Sequence, residues 1–280
     1  LALENGQRTV SYSALKEQTD KVASLLQAAG VEPGKTVAIL IKDSIDQLLA
    51  ITSTFKTGAT VCWLDPDNSS EVSLSVLSRV NSNLIVTDSK QSIQSEDGQF
   101  DIRDWGQILE ESSQSTPIAT PTENDMNAIA YRRLIGEYIS VEPYLFASRH
   151  ASSFKNIVDL TPEDRVLCSL SGGTGALWER LGVLFAGATL VVPEVIGNAG
   201  FDGLLKTLNI SVWVAADIQL GTWLSRKNQQ STVSKIVVIN GVISPENIEA
   251  LRSFSQSKLL AVFGSAQGGG IFASHDCVQG

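Results

Sequence analysis

The segment Thr36–Leu64 reads T-V-A-I-L-I-K-D-S-I-D-Q-L-L-A-I-T-S-T-F-K-T-G-A-T-V-C-W-L, and it decides the fold. Its two ends, Thr36–Ile41 and Ala59–Leu64, are continuous apolar runs typical of buried strands. Between them, apolar side chains recur at helical spacing, Ser44 is predicted to cap the helix and Gly58 to end it. A strand, a helix and a second buried strand predict a parallel strand pair with a covering helix.

The same alternation of strands and helices extends along most of the chain. Before this segment, a strand at Thr9–Tyr12 precedes a helix that Ser13 is predicted to cap and Gly30 to end. The pattern therefore predicts an α/β protein with two three-layer subdomains and mostly parallel sheets. Further strands are predicted at residues 84–87, 165–170, 188–192, 211–215, 235–239 and 259–263, and helices at residues 70–80, 152–160, 176–185, 201–208, 218–225 and 245–255.

One long polar segment divides the chain. Residues 88–125 are rich in Ser, Gln, Asp, Glu, Thr and Pro, and only a short helix near Trp105 is predicted there. We therefore expect a first α/β subdomain with a loop-rich tail at residues 1–124, a connecting region at 125–149 and a second α/β subdomain at 150–280.

The composition excludes several classes of protein. The 280 residues carry a net charge of −9 with no run of Lys or Arg, which argues against nucleic-acid binding. Three dispersed cysteines and two histidines offer no metal-ligand spacing, and Cys62 and Cys168 are expected to be reduced core thiols of a cytoplasmic protein. No apolar run is long enough for a membrane span. The first residue is not Met, so we expect a piece of a longer polypeptide.

Two glycine-rich stretches are candidate ligand sites. Gly172–Gly175 lies between a predicted strand and helix, but it lacks the G-x-G-x-x-G pattern, so a tight turn is favoured over dinucleotide binding. Gly268–Gly270 follows the last predicted strand, and here a ligand-binding loop and a plain loop remain open. Because no G-x-S-x-G sequence occurs, a serine hydrolase is disfavoured.

The region Asn127–Arg149 lies where an α/β protein of this layout would hold a nucleotide phosphate. It is predicted to begin as a strand at Ala128–Tyr131 and to lead towards a helix near His150. A phosphate loop needs glycines, small hydroxyl residues and a Lys. This region has a single glycine, Gly136, and no Lys.

Five segments, taken in order, resemble acyl-adenylate-forming enzymes, and most closely the adenylation domains of nonribosomal peptide synthetases. T-V-S-Y-S-A-L-K and F-K-T-G-A-T-V-C-W-L-D-P are similar to the start of that family. L-W-E-R-L-G-V-L-F-A-G-A-T-L resembles its F-D-x-S-x-W-E and G-A-T-L motifs. V-V-I-N-G-V-I-S-P-E and A-V-F-G-S-A-Q resemble its G-G-E-x-L-x-x-E and N-x-Y-G-P-T-E motifs.

The departures from the family fall on its nucleotide site. The family grips ATP with a loop of the type T-S-G-S-T-G-K-P-K-G, and the corresponding residues here are R-R-L-I-G-E-Y-I-S-V at 132–141. Gln267 replaces an acidic residue that helps to hold Mg²⁺, and an amide is a poor magnesium ligand. The resemblance implies six remnants of a nucleotide site: Arg132, Arg133, His150, Phe263, Gly264 and Gln267.

The substrate pocket departs from the family as well. In members that activate amino acids, an Asp pairs with the substrate ammonium, and the matching residue here is the neutral Thr174. The other pocket-like positions that the resemblance implies are Gly175, Trp178, Val214, Val238, Asn240, Val262, Gly270 and Ile271. The family's downstream catalytic Lys and small carboxy-terminal domain are not in this sequence, which is either part of a domain or a naturally shorter one.

The resemblance and its departures together imply a degenerate adenylation-type domain. We expect no catalytic residue, no metal and no bound cofactor, although the family uses ATP and Mg²⁺. The domain would then be a structural scaffold for neighbouring condensation and carrier domains of one megasynthase polypeptide. Two alternatives remain open, namely active adenylation of a carboxylate that is not an amino acid, and a ligand- or protein-binding module without nucleotide.

Overall fold

The structure is a computed structural model that describes residues 1–82, 84–89, 100–112, 128–133, 139–144, 147–170, 177–192, 201–225, 233–239, 243–254, 258–265 and 270–276. It contains two compact units. The first unit is built from Val10–Ser148, and the second from Leu1–Thr9 together with the described residues from Arg149 onward. The sequence pattern assigns residues 1–9 to the first subdomain, but their strand pairs in the sheet of the second unit.

Strands and helices alternate along most of the described chain. The strands are β1 Leu3–Glu4, β2 Thr9–Val10, β3 Thr36–Leu40, β4 Thr60–Trp63, β5 Leu84–Thr87, β6 Asp101–Asp104, β7 Ala128–Arg133, β8 Ile139–Tyr144, β9 Arg165–Cys168, β10 Thr189–Val191, β11 Val212–Ala215, β12 Lys235–Ile239, β13 Lys258–Ser265 and β14 Gly270–Asp276. The helices are α1 Tyr12–Ala28, α2 Ser44–Lys56, α3 Ser70–Val80, α4 Trp105–Ser112, α5 Ala147–Val158, α6 Leu177–Phe185, α7 Phe201–Thr207, α8 Asp217–Leu224 and α9 Pro245–Phe254.

The first unit contains a sheet in the order β6-β5-β3-β4-β7-β8. Its first five strands are parallel, and β8 runs antiparallel to β7 at the edge. Helix α3 covers one face through Val76, Leu77 and Val80, which join the apolar side chains of β3, β4 and β5 in one buried cluster. Helices α1 and α2 pack against each other, and α2 contacts β3 and β4.

The helix caps of the first unit lie earlier than the sequence predicts. The Ser11 hydroxyl accepts from the Ala14 amide at 3.1 Å, so Ser11 rather than Ser13 caps α1. The Asp43 carboxylate accepts from the Asp46 amide at 2.8 Å, so Asp43 rather than Ser44 caps α2. The physical reason is that the capping residue keeps an extended backbone, and both predicted caps are already inside the helix.

An ion-pair network joins α1 to α2. The Lys56 ammonium lies 2.5 Å from an Asp20 oxygen and donates to the Thr19 hydroxyl at 2.6 Å. Lys16 contacts the other Asp20 oxygen at 2.6 Å. Burial alone would raise the pKa of Asp20, but hydrogen bonds from Lys16 and Lys56 and their charges outweigh it and lower that pKa.

The region Asn127–Arg149 begins with the predicted strand, which is β7, and continues with a second strand, β8, that the sequence does not predict. Strands β7 and β8 are antiparallel, in register from Ala128 opposite Tyr144 to Arg133 opposite Ile139. Helix α5 then begins at Ala147, five residues before its predicted start at 152. Strand β8 is not predicted from the sequence because it contains Pro143, and proline normally argues against a strand. Proline is tolerated at a sheet edge or bulge, and β8 is an edge strand.

The second unit contains a sheet in the order β14-β13-β12-β11-β9-β10-β1-β2. Parallel pairing extends from β13 to β1, and β14 is antiparallel to β13. Helices α7, α8 and α9 cover one face through a core cluster that includes Phe201, Trp213 and Trp223. Helix α6 packs on β9 and β10. The predicted fold class, two α/β units with mostly parallel sheets, is therefore confirmed.

Candidate functional site

The carboxyl ends of β9, β11, β12 and β13 form the candidate site, because ligands of α/β proteins bind beyond the carboxyl ends of parallel strands. Val214 lies opposite Cys168 on one side and Val237 on the other. Since partners in register point to the same face, Val214 and Cys168 share a face. Val262 lies opposite Ile239, which places it on that face as well.

Val238 lies on the opposite face of the same sheet. It is opposite Ala215 and belongs to the buried cluster with Trp213, Leu220 and Trp223. All three predicted pocket valines, Val214, Val238 and Val262, are buried. The structure thus brings Val214 and Val262 to one face and places Val238 under α8 and α9.

The first turn of α6 holds another of the predicted pocket-like residues, Trp178. Its indole stacks on the His150 ring of α5, with ring centroids 5.6 Å apart and an interplanar angle of 27°. Both side chains are buried, with 3% of His150 and 7% of Trp178 exposed. The sequence resemblance assigns these two residues to separate nucleotide and substrate sites, and the structure brings them into contact.

Close packing between α5 and α6 fixes this contact. A Cβ atom added at Gly182 would lie 2.8 Å from the Ala151 carbonyl oxygen and 2.8 Å from the Cδ1 atom of Phe154. Trp178 and Gly182 are four residues apart, as are His150 and Phe154, so each pair lies on one helix face. The missing side chain of Gly182 therefore lets the two helices approach.

Charged side chains are buried beside this contact. Only 7% of Glu179 is exposed, and burial raises the pKa of its carboxyl to about 7 despite opposing effects of its own backbone amide and of the Arg180 charge. An Arg180 nitrogen donates to the Leu170 carbonyl oxygen at 3.4 Å. Burial is also the main cause that raises the pKa of the Cys168 thiol.

A hydrogen-bond network that the sequence does not predict links the ends of β9 and β11. The Ser169 hydroxyl accepts from the Trp213 indole at 2.8 Å, and the Gln219 amide donates to the Ser169 carbonyl oxygen at 2.8 Å. The Gln219 side-chain oxygen accepts from the Ala216 amide at 3.0 Å. Gln219 lies at the third position of α8, and Gln at that position is the available sequence signal for a cap.

The other predicted site residues lie in β7, on the β13–β14 pair or outside the described residues. Arg132 and Arg133 lie in β7, opposite Ser140 and Ile139. On the β13–β14 pair, Gly264 lies opposite Ile271, and a register irregularity follows Phe263. Gly270 is the first residue of β14. The remaining predicted residues, Thr174, Gly175, Asn240 and Gln267, lie outside the described residues.

Metal-binding clusters and membrane-spanning helices are both absent from the described residues. No group of three or more His, Cys, Asp or Glu side chains in the described part of the chain could hold a metal ion. No helix in that part is both long and apolar enough to cross a bilayer.

Comparison with known proteins gives a family match over the first part of the chain. The model of the family described as AMP-binding enzyme matches residues 1–131. A linear gramicidin synthase from Brevibacillus parabrevis is 27% identical over 257 residues, which is 89% of this chain and 5% of that protein. Tyrocidine synthase 2 from the same organism is 28% identical over 198 residues, or 68% of this chain and 5% of that protein.

The chain resembles acyl-adenylate-forming enzymes, because residues 1–131 match the AMP-binding model and long synthetases match most of its length. Its fold agrees, because the N-terminal subdomain of Klebsiella oxytoca NpsA superposes with a TM-score of 0.89 at 16% identity, covering 99% of this chain and 73% of that one. O-succinylbenzoate coenzyme A synthetase from Bacillus subtilis, solved with AMP, gives a TM-score of 0.82 at 17% identity, with 99% and 73% covered.

These matches confirm the resemblance drawn from the five sequence segments. The chain is an adenylation-domain-like region of the nonribosomal peptide synthetase type. It spans only 5% of the length of each of the two synthetases that it matches. The activity and substrates of those whole proteins are therefore not transferred to it.

Proposed function

We propose that the chain is an adenylation-type domain of a nonribosomal peptide synthetase or related megasynthase that has lost adenylation and serves as an interdomain scaffold. The observation that supports it most is the β7–β8 strand pair. The last paired residues of the two strands are Arg133 and Ile139, so the five residues 134–138 connect β7 to β8.

The sequence of this connection is unsuited to a triphosphate. It reads L-I-G-E-Y, with one glycine, one carboxylate and no Lys, Ser or Thr. Phosphate loops hold their ligand with converging backbone amides, a Lys and a small hydroxyl. Hydrogen bonds to a charged group contribute about 1.5–3 kcal/mol each, so losing several of them would abolish useful affinity. The negative charge of Glu137 would further repel phosphate.

Two other positions support the same proposal. Gln267 stands where the resemblance implies a magnesium-binding acid, and Thr174 stands where it implies the Asp that pairs with a substrate ammonium. A neutral side chain cannot compensate a buried ammonium. Metal, phosphate and substrate functions are thus weakened at separate positions.

The scaffold part of the proposal is supported by the retained core and by the relatives. Both sheets keep extensive buried apolar clusters among the described residues. The relatives are very long synthetases in which a segment of this size is a small part. Condensation and carrier domains of the same polypeptide are the proposed neighbours.

The test is ATP–pyrophosphate exchange by the synthetase polypeptide that carries the chain. We expect the same exchange rate when Arg132 and Arg133, the cationic remnants of the loop, are both replaced by Ala. Calorimetry on the chain itself should show no heat of binding at millimolar ATP with Mg²⁺, whereas an active adenylation domain measured in parallel should. Exchange that is lost in the double variant would refute the proposal.

The second candidate is active adenylation of a carboxylate that lacks an amino group. Thr174 favours it, and the NpsA subdomain has been solved in complex with 3-hydroxybenzoyl-AMSN. In this case Arg132 and Arg133 would hold phosphate, and downstream residues would supply the catalytic Lys. Heat on ATP addition, increased by an aryl acid and not by amino acids, would favour this candidate over the scaffold.

A further inference from the structure

The carboxyl group of Glu179 is buried away from water. Glu179 lies in the first turn of α6, directly after Trp178. Its Oε2 atom has no hydrogen-bond partner among the residues that the structure describes. An ionised carboxylate in such surroundings is costly, because each of its oxygens normally accepts hydrogen bonds.

The groups around this turn provide little compensation for a negative charge. From α5, His150 faces the turn through its contact with Trp178. From β9, the thiol of Cys168 is close enough for the charge of Glu179 to affect it. From α6 itself, the Arg180 charge favours the ionised form of Glu179. Strand β10, which also contacts α6, carries no titratable side chain.

Close packing at Gly182 leaves α6 little room to shift towards α5, because a Cβ atom there would lie 2.8 Å from the Ala151 carbonyl oxygen. Only 7% of Glu179 is exposed, so hydrating its carboxylate requires the first turn of α6, which also carries Trp178, to move. That movement would separate His150 from Trp178. Charge on Glu179 and the stacking contact are therefore mutually unfavourable.

We propose that Glu179 is a proton-dependent switch that controls the packing of the first α6 turn. With the proton bound, the turn packs against α5 and Trp178 stacks on His150. When the proton leaves, the turn loosens and the stacking contact weakens. This role does not rest on the proposed loss of adenylation, because its tests measure stability and side-chain packing and not nucleotide binding.

The direction of the pH dependence follows from the shift of the Glu179 pKa. That pKa rises from 4.5 to about 7 in the folded protein. The folded state therefore holds the proton more tightly than the unfolded state between these values. The contribution of Glu179 to the stability of the folded state is therefore complete below pH 4.5 and is lost as the pH rises through about 7.

The first test measures urea unfolding of the 280-residue chain at pH 5 and pH 8. From pH 5 to pH 8 the unfolding equilibrium constant of the wild type should rise by about 70-fold through this group. Glu179→Gln should lose this rise. Glu249→Gln, the same change at an exposed position of α9, should keep it. His150→Gln should keep a rise in the same direction but a smaller one, because the stacking contact that opposes ionisation of Glu179 is gone. A Glu179→Gln variant with the wild-type pH dependence would overturn the proposal.

A second measurement decides the question even if Glu179→Gln does not fold. Carbon NMR of wild-type protein labelled at glutamate carboxyls should show one carboxyl titrating near pH 7. An indole NH signal, assigned to Trp178 with Trp178→Phe, should shift with the same midpoint. Glutamates that all titrate below about pH 6, or an indole that does not respond, would overturn the switch.

Discussion

Replacing Gly182 with Ala tests the central packing contact of the second unit. The new methyl group would lie 2.8 Å from both the Ala151 carbonyl oxygen and the Phe154 ring. Carbon atoms pack favourably at about 3.5–4.0 Å, so the helices must separate. Overpacking of this kind costs about 1–3 kcal/mol, and the backbone oxygen of Ala151 cannot rotate away as a side chain could.

Helix propensity partly offsets this cost. Alanine in a helix interior is favoured over glycine by about 0.5–1 kcal/mol, so the net loss of unfolding free energy should be at most about 2.5 kcal/mol. Gly203 in α7 is the matched control, because no atom lies within 4 Å of a Cβ added there. Gly203→Ala should therefore stabilise the protein by about 0.5–1 kcal/mol, the propensity gain alone.

Urea unfolding followed by circular dichroism measures both variants. The two glycine-to-alanine changes should shift the midpoint in opposite directions, and near-ultraviolet circular dichroism should change only in Gly182→Ala, where tryptophan packing is disturbed. Equal stabilisation by both changes would show that α5 and α6 are not in the close contact described above, and would refute the reasoning.

Three further predictions concern other parts of the structure. Lys56→Met should destabilise the first unit by about 1–3 kcal/mol at pH 7, because the buried Asp20 carboxylate then keeps only the exposed Lys16 as a partner. The difference in unfolding free energy between wild type and variant, measured by urea unfolding, should shrink as acid protonates Asp20. A difference that stays constant down to about pH 2 would contradict this. Cys62 and Cys168 are buried, and burial raises the pKa of the Cys62 thiol to about 12. Both thiols should therefore react with a thiol reagent only at the rate of unfolding, and fast labelling of either in native buffer would contradict their burial. Ser169→Ala removes the acceptor of the Trp213 indole and should cost about 1–3 kcal/mol, whereas Ser225→Ala at the exposed end of α8 should change the unfolding free energy little.

Regular elements were predictable where local signals were strong. The apolar runs that form β3 and β4, and the helix between them, are read from periodicity and a terminating glycine alone. Strand β6 was missed because Asp101, Arg103 and Asp104 give a polar edge strand the appearance of a loop. Strand β8 was missed because Pro143 is a strand-breaking signal everywhere except at an edge.

Site geometry was less predictable because it depends on distant contacts. Order and spacing placed His150 and Trp178 at ligand-related positions, but no local signal indicated that their rings stack. Glu179 beside Arg180 looks in sequence like an exposed helical pair, and only the structure shows that both side chains are buried. The Ser169 network joins residues 44 and 50 positions apart, so periodicity could not reveal it.

Pairing of β1 with β10 has a consequence during synthesis. Leu3 lies opposite Leu190, 187 positions later in the chain. At about 5–20 residues per second, a ribosome needs roughly 10–40 s to produce the partner strand after it has made Leu3. The whole first unit emerges during that interval. Until then β1 has only β2 as a neighbour from its own sheet, so this edge of the second unit is completed late, and slow codons before residue 190 would lengthen the delay.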